Sequence, residues 1–223
     1  MLGALFYPCC GSFDIIKAMN GFAHLANCVH GADPFADVVS DLRRSWNLDE
    51  TSSINHAFTP ELEPNGRRGV RMVSDPRNQP SGVGMRHEYI ARRIGGDGAV
   101  IPFIWHHYDA VEALNHIERI SVFFFRRDGP SEGEGSSGVR WLDDVLLRRF
   151  LAKLEPGGLI VTDGAAMHGD DSQAPLWTAP RNPDPVGMTF EFADRHFTCE
   201  SVFCTARVPT LVWRVQKNGD VAL

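Results

Sequence analysis

No CxxC pair occurs among the five cysteines of this 223-residue chain, and the odd count, with Cys9 and Cys10 adjacent, leaves no balanced pairing. That pattern argues against both a disulfide framework and a structural zinc site, and it fits a reducing cytoplasm. Nor does any apolar run approach the roughly 18 residues of a membrane span. The opening MLGALFYPCC has no basic residue before it and no small-residue cleavage site, so the chain is expected to start directly in folded structure and to be soluble and cytoplasmic. Lysine is scarce: 19 of the 22 basic residues are arginine, many in pairs such as Arg43-Arg44, Arg92-Arg93 and Arg148-Arg149. With 28 acidic residues the net charge is still −6, so these pairs read as solvated faces and not as a nucleic-acid surface.

What is present is ordinary globular material, 43% hydrophobic and 10% aromatic, in a length expected to form a single domain over residues 1–223. Leu2 to Tyr7 is a short apolar run stopping at Pro8. Ile15, Ile16, Met19, Phe22 and Ala23 then follow at helical spacing, with Ser12 or Asp14 to open the helix. A second strand ends at Asp33-Pro34, and a helix is expected from Ala36 to Trp46. The stretch from about 47 to 90 breaks this alternation and reads as an inserted hairpin and loop, with its turn at Asn65-Gly66. Regular order resumes with a helix expected over Arg86 to Ile94, the strand AVIPFIW, a helix from about Asp109 to Ile117, and ISVFFF. A run that apolar indicates a strand buried on both faces, as in a parallel sheet covered by helices.

Further on, VRWLDDVLLRRFLAKLEPGG carries a strong amphipathic helix, which Gly157 and Gly158 are expected to end before the strand GLIVTDG. A short helical piece is expected near Phe190 to His196. TCESVFCTARV and TLVWRVQK then read as an antiparallel pair at the sheet edge.

In open α/β sheets, ligands bind beyond the carboxyl ends of the strands. Four such ends carry chemistry here: CCGSFD, Asp33, HHYD and RRDG. Gly11 permits a tight turn and close approach of a ligand, and the following helix start offers unpaired N–H groups to a carboxylate. Asp33 lies 22 residues after Gly11, close to the roughly 20-residue offset at which an acid reaches ribose hydroxyls.

On these residues the chain resembles the class I S-adenosylmethionine-dependent methyltransferases. LFYPCCGSFD stands as a variant of their first glycine loop, Asp33 as the acid closing the second strand, and FLAKLEPGGLIVTDG as their passage from helix into the fifth strand. The resemblance spans most of the chain outside residues 47–90. It implies a Rossmann-like three-layer α/β/α sandwich with a mostly parallel seven-stranded sheet and an antiparallel last strand. It also implies S-adenosylmethionine as cofactor, held by Pro8, Cys10, Gly11, Ser12, Asp14, Asp33, Phe35 and Trp105, and transfer to a small-molecule or protein acceptor whose identity is not written in the sequence. Asp128 and His106 are the expected general-base candidates. Two departures stand out: Tyr7-Pro8 occupies the place where the family carries an acid, and Gly11 is the loop's only glycine.

That shortage of glycines disfavours a dinucleotide, whose pyrophosphate needs the closer approach of GxGxxG. No DPPY-type motif follows ISVFFF, so methylation of a nucleic-acid base finds no support. No HxxxH or HExxH occurs, and no metal is expected. Two further readings follow from the residues. One is a methyltransferase-like domain that has lost catalysis and serves as a binding module. The other is a serine hydrolase, because GPSEG matches Gly-x-Ser-x-Gly and Ser131, Asp163 and His196 follow in hydrolase order. However, EGEGSSG after the serine cannot start the helix that such an elbow requires.

Overall fold

The computed structural model describes residues 2–8, 14–33, 38–57, 83–95, 98–108, 110–125, 144–163, 186–192, 194–205 and 208–216. Its strands are β1 (Ala4–Pro8), β2 (Val29–Ala32), β3 (Trp46–Ala57), β4 (Val83–Arg93), β5 (Val100–His107), β6 (Ile120–Phe125), β7 (Leu154–Asp163), β8 (Thr189–Phe192), β9 (Arg195–Thr205) and β10 (Val208–Val215). The α-helices are α1 (Asp14–Phe22), α2 (Val38–Leu42), α3 (Ala110–Asn115) and α4 (Asp144–Leu151). The class is mixed α/β, with one large sheet that is parallel in the middle.

The described strands form a ten-stranded sheet in the order β3-β4-β5-β2-β1-β6-β7-β10-β9-β8, larger than the seven strands expected. Strands β5, β2, β1, β6 and β7 run parallel, and antiparallel strands flank them on both sides. Alternation along the central strands supplies two apolar faces. Ala4, Phe6 and Phe123 join Val111 and Leu114 of α3 and Phe150 of α4 in one cluster. Leu5, Tyr7, Val122 and Phe124 join Ile15 and Met19 of α1 and Val38 of α2 in the other. The near-continuous apolar strands are thus covered on both sides, as their composition requires. The Phe150 ring stacks on Phe123 with centroids 4.0 Å apart, which ties α4 to the central strand β6.

Several elements differ from the sequence reading. The helix expected over Arg86 to Ile94 is strand β4, whose ladder partners are β3 on one side and β5 on the other. Its Arg, Glu and Ala residues favour helix in isolation, but two neighbouring strands override that preference. The helix expected to reach Trp46 ends at Leu42 instead. Trp46 opens β3, with its indole N–H donating to Asn20 Oδ1 at 3.1 Å. The inserted hairpin has its arms in β3 and β4, paired from Trp46 with Arg93 to Ala57 with Val83, while the expected turn at Asn65-Gly66 lies outside the described residues.

Gly157 does not terminate the long helix. It sits inside β7 at φ 82°, where the pairing with β6 shifts register between Val122–Leu159 and Ile120–Leu154. A left-handed residue at a bulge needs glycine as much as a helix end does, so the residue was informative and the element was not. The helical piece expected near Phe190 to His196 is the hairpin of β8 and β9, with Asp194 at φ 59° in its turn.

A polar cluster fastens the amino ends of β1, β6 and β7. The Gly3 N–H donates to Ser121 Oγ at 2.6 Å and to Glu155 Oε2 at 3.1 Å, the Ser121 hydroxyl donates to Glu155 at 2.7 Å, and Arg119 forms an ion pair with the same carboxylate. Burial pushes the Glu155 carboxyl up, yet the bonds from Ser121, the Gly3 N–H and Arg119 outweigh it and hold the group below its ordinary value. Glu155→Ala is expected to lower stability by about 1 kcal/mol, read as a lower urea midpoint at unchanged slope. An unchanged midpoint would remove this cluster from the interactions that hold the sheet.

Candidate functional site

The chain leaves β1 toward β2 and β5 on one side, then returns to β6 and β7 on the other. This reversal makes β1 and β6 a topological switch point, and ligands of open α/β sheets sit beyond the carboxyl ends of strands at such a point. The expected site residues distribute around that edge. Pro8 ends β1 and pairs in register with Ala32 of β2, so Asp33, the next residue, lies at the same edge. Asp33 is buried, and its N–H donates to the His106 carbonyl at 3.1 Å, which joins the ends of β2 and β5.

Asp14 opens α1 and is also buried, its carboxylate bonded to Lys17 at 2.6 Å. An acid in the first turn favours the helix through the dipole, and the ion pair with Lys17 sits one turn on. Cys10, Gly11, Ser12, Phe35 and Asp128 lie outside the described residues, as does Ser131.

Trp105 and His106 are neighbours in β5 and therefore face opposite sides of the sheet. Trp105 is buried in the cluster that holds Tyr7, Val38 and Leu42, on the side of α1 and α2. His106 faces the side of α3, fully buried and bonded at both ring nitrogens. Nε2 lies 2.9 Å from His30 Nδ1, and Nδ1 lies 2.6 Å from the Tyr108 hydroxyl. Burial drives both imidazoles toward the neutral form. His30 is lowered to about 3, with further contributions from Arg86 and His116, and His106 falls well below its ordinary value from burial first and then from His30 and Arg86. Tyr108 is pushed up by burial and stays a phenol. A ring so enclosed positions its neighbours and has no open side toward an acceptor.

The serine-hydrolase reading is overturned by the sheet. Asp163 pairs with Thr210 at one end of β10, whereas Phe197 pairs with Val215 at the other and the Gln216 N–H bonds the His196 carbonyl. Five to six strand residues at about 3.3 Å each separate the two, far beyond contact between an acid and a base. A cavity of about 580 Å³, lined by Leu2, Ser121, Glu155, Thr198 and Arg214, opens at the amino ends of β6 and β7, opposite the switch-point edge.

Sequence reasoning pointed to HHYD, which holds His106 and Tyr108, but missed His30 and His56. His56 of β3 stacks on the Tyr108 ring at 5.0 Å, and His116, just past α3, stacks on His106 at 6.2 Å. Besides HHYD, the sequence signal was Glu112 and His116 at helical i,i+4 spacing, since the remaining members come together through strand register.

Among the described residues no helix is long and apolar enough to cross a membrane. No family model matches the chain, and no curated protein matches it at a significant level. Among solved structures, the chain is similar to a Haemophilus influenzae protein inferred to be a methylase, with 11% identity and a TM-score of 0.39 over 97% of this chain and 81% of the other.

Proposed function

We propose that the protein is an S-adenosylmethionine-dependent methyltransferase built on a Rossmann-like sandwich, with its cofactor at the carboxyl edge of β1 and β2. One observation carries the reading: the buried acid Asp33 directly follows Ala32, the β2 residue in register with Pro8, next to the switch point of β1 and β6. A buried acid at that place fits the ribose hydroxyls, which donate to it, and the start of α1 just after the β1 loop fits a carboxylate. Cys10, Gly11, Ser12 and Phe35 complete the cofactor set in this reading, with Asp14 and Trp105 at its borders and Asp128 as the base. When bound, the cofactor supplies an electrophilic sulfonium methyl. The chain's own contribution is to hold an acceptor in line with that methyl and to exclude water, and the acceptor is a small molecule or a protein.

A second reading, binding without catalysis, is favoured by Tyr7. Its ring is buried edge-on to Phe124 at 5.0 Å in the place where the family carries an acid, so that position presents no carboxylate to a cofactor's amino group.

Calorimetric titration with S-adenosylhomocysteine tests the proposal. Binding is expected, and Asp33→Ala should weaken it by about 10- to 100-fold, because a charge-assisted bond contributes roughly 1.5–3 kcal/mol. Absence of binding at millimolar ligand would sink the cofactor site. Binding with no methyl transfer to any acceptor in a small-molecule and peptide panel would select the binding module.

A further inference from the structure

On the face of the sheet that carries α3, three ligating atoms converge from separate elements. His56 Nε2, from the hairpin strand β3, lies 2.9 Å from Glu112 Oε1 of α3 and 3.1 Å from His116 Nε2, and His116 Nε2 lies 3.4 Å from the same Glu112 oxygen. Three such edges resemble one face of a coordination tetrahedron: ligand atoms about 2.05 Å from a tetrahedral ion stand about 3.3 Å apart. Closing on an ion would therefore require movements of only a few tenths of an ångström.

We propose that His56, Glu112 and His116 bind one divalent transition-metal ion of the zinc class, clamping the β3–β4 hairpin to α3. Two imidazoles and one carboxylate suit Zn²⁺ or Co²⁺, whereas Mg²⁺ and Ca²⁺ prefer oxygen ligands. The convergence itself points to a cation. Both ring nitrogens face one carboxylate oxygen and each other, so if both carried hydrogen their N–H groups would crowd, and a metal takes all three lone pairs at once.

The surroundings orient the set. Asn115 donates its amide N–H to the second Glu112 oxygen at 3.0 Å, and Arg149 donates to Asn115 Oδ1 at 2.8 Å, so the carboxylate is aimed from behind. His56 is held by its stack on Tyr108 and His116 by its stack on His106. Arg86, the cation that acts on the His116 ring from β4, is itself bonded to Glu88 at 2.6 Å. Three protein ligands leave a position for water, as in open zinc sites. The site stands apart from the cofactor reading and does not depend on it.

The test uses the full chain stripped with a chelator and titrated with Zn²⁺ by calorimetry, with Co²⁺ as a visible-absorption probe. One equivalent of Zn²⁺ is expected to bind and raise the melting temperature, and millimolar Mg²⁺ should not displace it. Glu112→Gln and His116→Asn should each weaken binding by at least 100-fold, and Asn115→Ala by about 10-fold. His87→Ala, at a half-buried histidine paired with Glu50, should leave binding unchanged. Circular dichroism of each metal-free variant checks the fold. If Glu112→Gln fails to fold, His116→Asn at the exposed end of α3 carries the result. No stoichiometric uptake of Zn²⁺ or Co²⁺, or equal affinity in the folded His116→Asn variant, would overturn the site, and displacement by Mg²⁺ would overturn the metal class.

Discussion

Lowering the pH from 8 to 5 is expected to destabilise the fold by about 2 kcal/mol through His30 alone, with His106 adding to the loss, against the roughly 5–15 kcal/mol that holds a typical domain together. The cause is the buried pair His30 and His106. In the unfolded chain each imidazole titrates near 6.5, whereas in the native state burial lowers His30 to about 3 and His106 well below its ordinary value. A proton accepted by the unfolded chain and refused by the folded one favours unfolding. Stability is therefore complete above about pH 6.5 and falls as pH drops toward 3, where the native His30 ring also begins to charge. At pH 5 His30 contributes about 2 kcal/mol of this loss, and His106 adds to it in the same direction.

The groups facing the pair act in the same direction. Arg86 on β4 and His116 beside α3 both oppose a positive charge on either ring, and His56 opposes one on His106. Urea unfolding at pH 8, 6.5 and 5 measures the slope, and His30→Asn, which keeps a polar group near Nδ1 but cannot titrate in this range, should reduce it. Equal stability at pH 8 and pH 5, or an unchanged slope in His30→Asn, would refute the assignment.

The parallel centre of the sheet was legible because burial on both faces writes itself as composition. LeuPheTyr in β1 and the unbroken ISVFFF of β6 permit little else, and Asp33 follows β2 where an α/β ligand edge should be. The flanking strands were harder. In β4 Tyr89 and Ala91 alternate as buried residues among Arg, Glu and Ile, a pattern short enough to pass for a helix face. In β7 the chain turns extended at Leu154, before the Pro-Gly-Gly that looked like a helix stop, because a bulge and a helix end ask for the same glycine.

The histidine cluster was illegible for a different reason. His30, His56 and His106 stand far apart in sequence, and they share a face only because His56 pairs with Gly84, Arg86 with His106, and Ala32 with His106. A shift of one residue in any of these ladders would turn a ring to the opposite face. Register depends on side-chain packing across strands, so no local pattern could supply it.

Gly84 is where that register is most exposed to test. A methyl group there would stand 2.4 Å from the Tyr108 Cβ, 2.8 Å from its Cδ1 and 2.9 Å from the His107 carbonyl oxygen. The first and last of these atoms are fixed by backbone, so Tyr108 cannot move aside by changing rotamer, and β4 must instead be pushed away from β5. Gly84→Ala is therefore expected to lower stability by about 3 kcal/mol, at the upper end of ordinary overpacking. The displacement should also break the Tyr108–His106 bond and the stack under His56, so the Zn²⁺ affinity of the surviving folded fraction should fall with it. Gly21→Ala in α1 makes the contrast. Its added methyl meets nothing within 4 Å, and replacing a helical glycine by alanine should stabilise by roughly 0.5–1 kcal/mol. Urea unfolding of both variants reads the opposite signs directly. A Gly84→Ala protein as stable as the parent would mean that Tyr108 does not close over β4, and the positions of His56 and His106 would lose their common support.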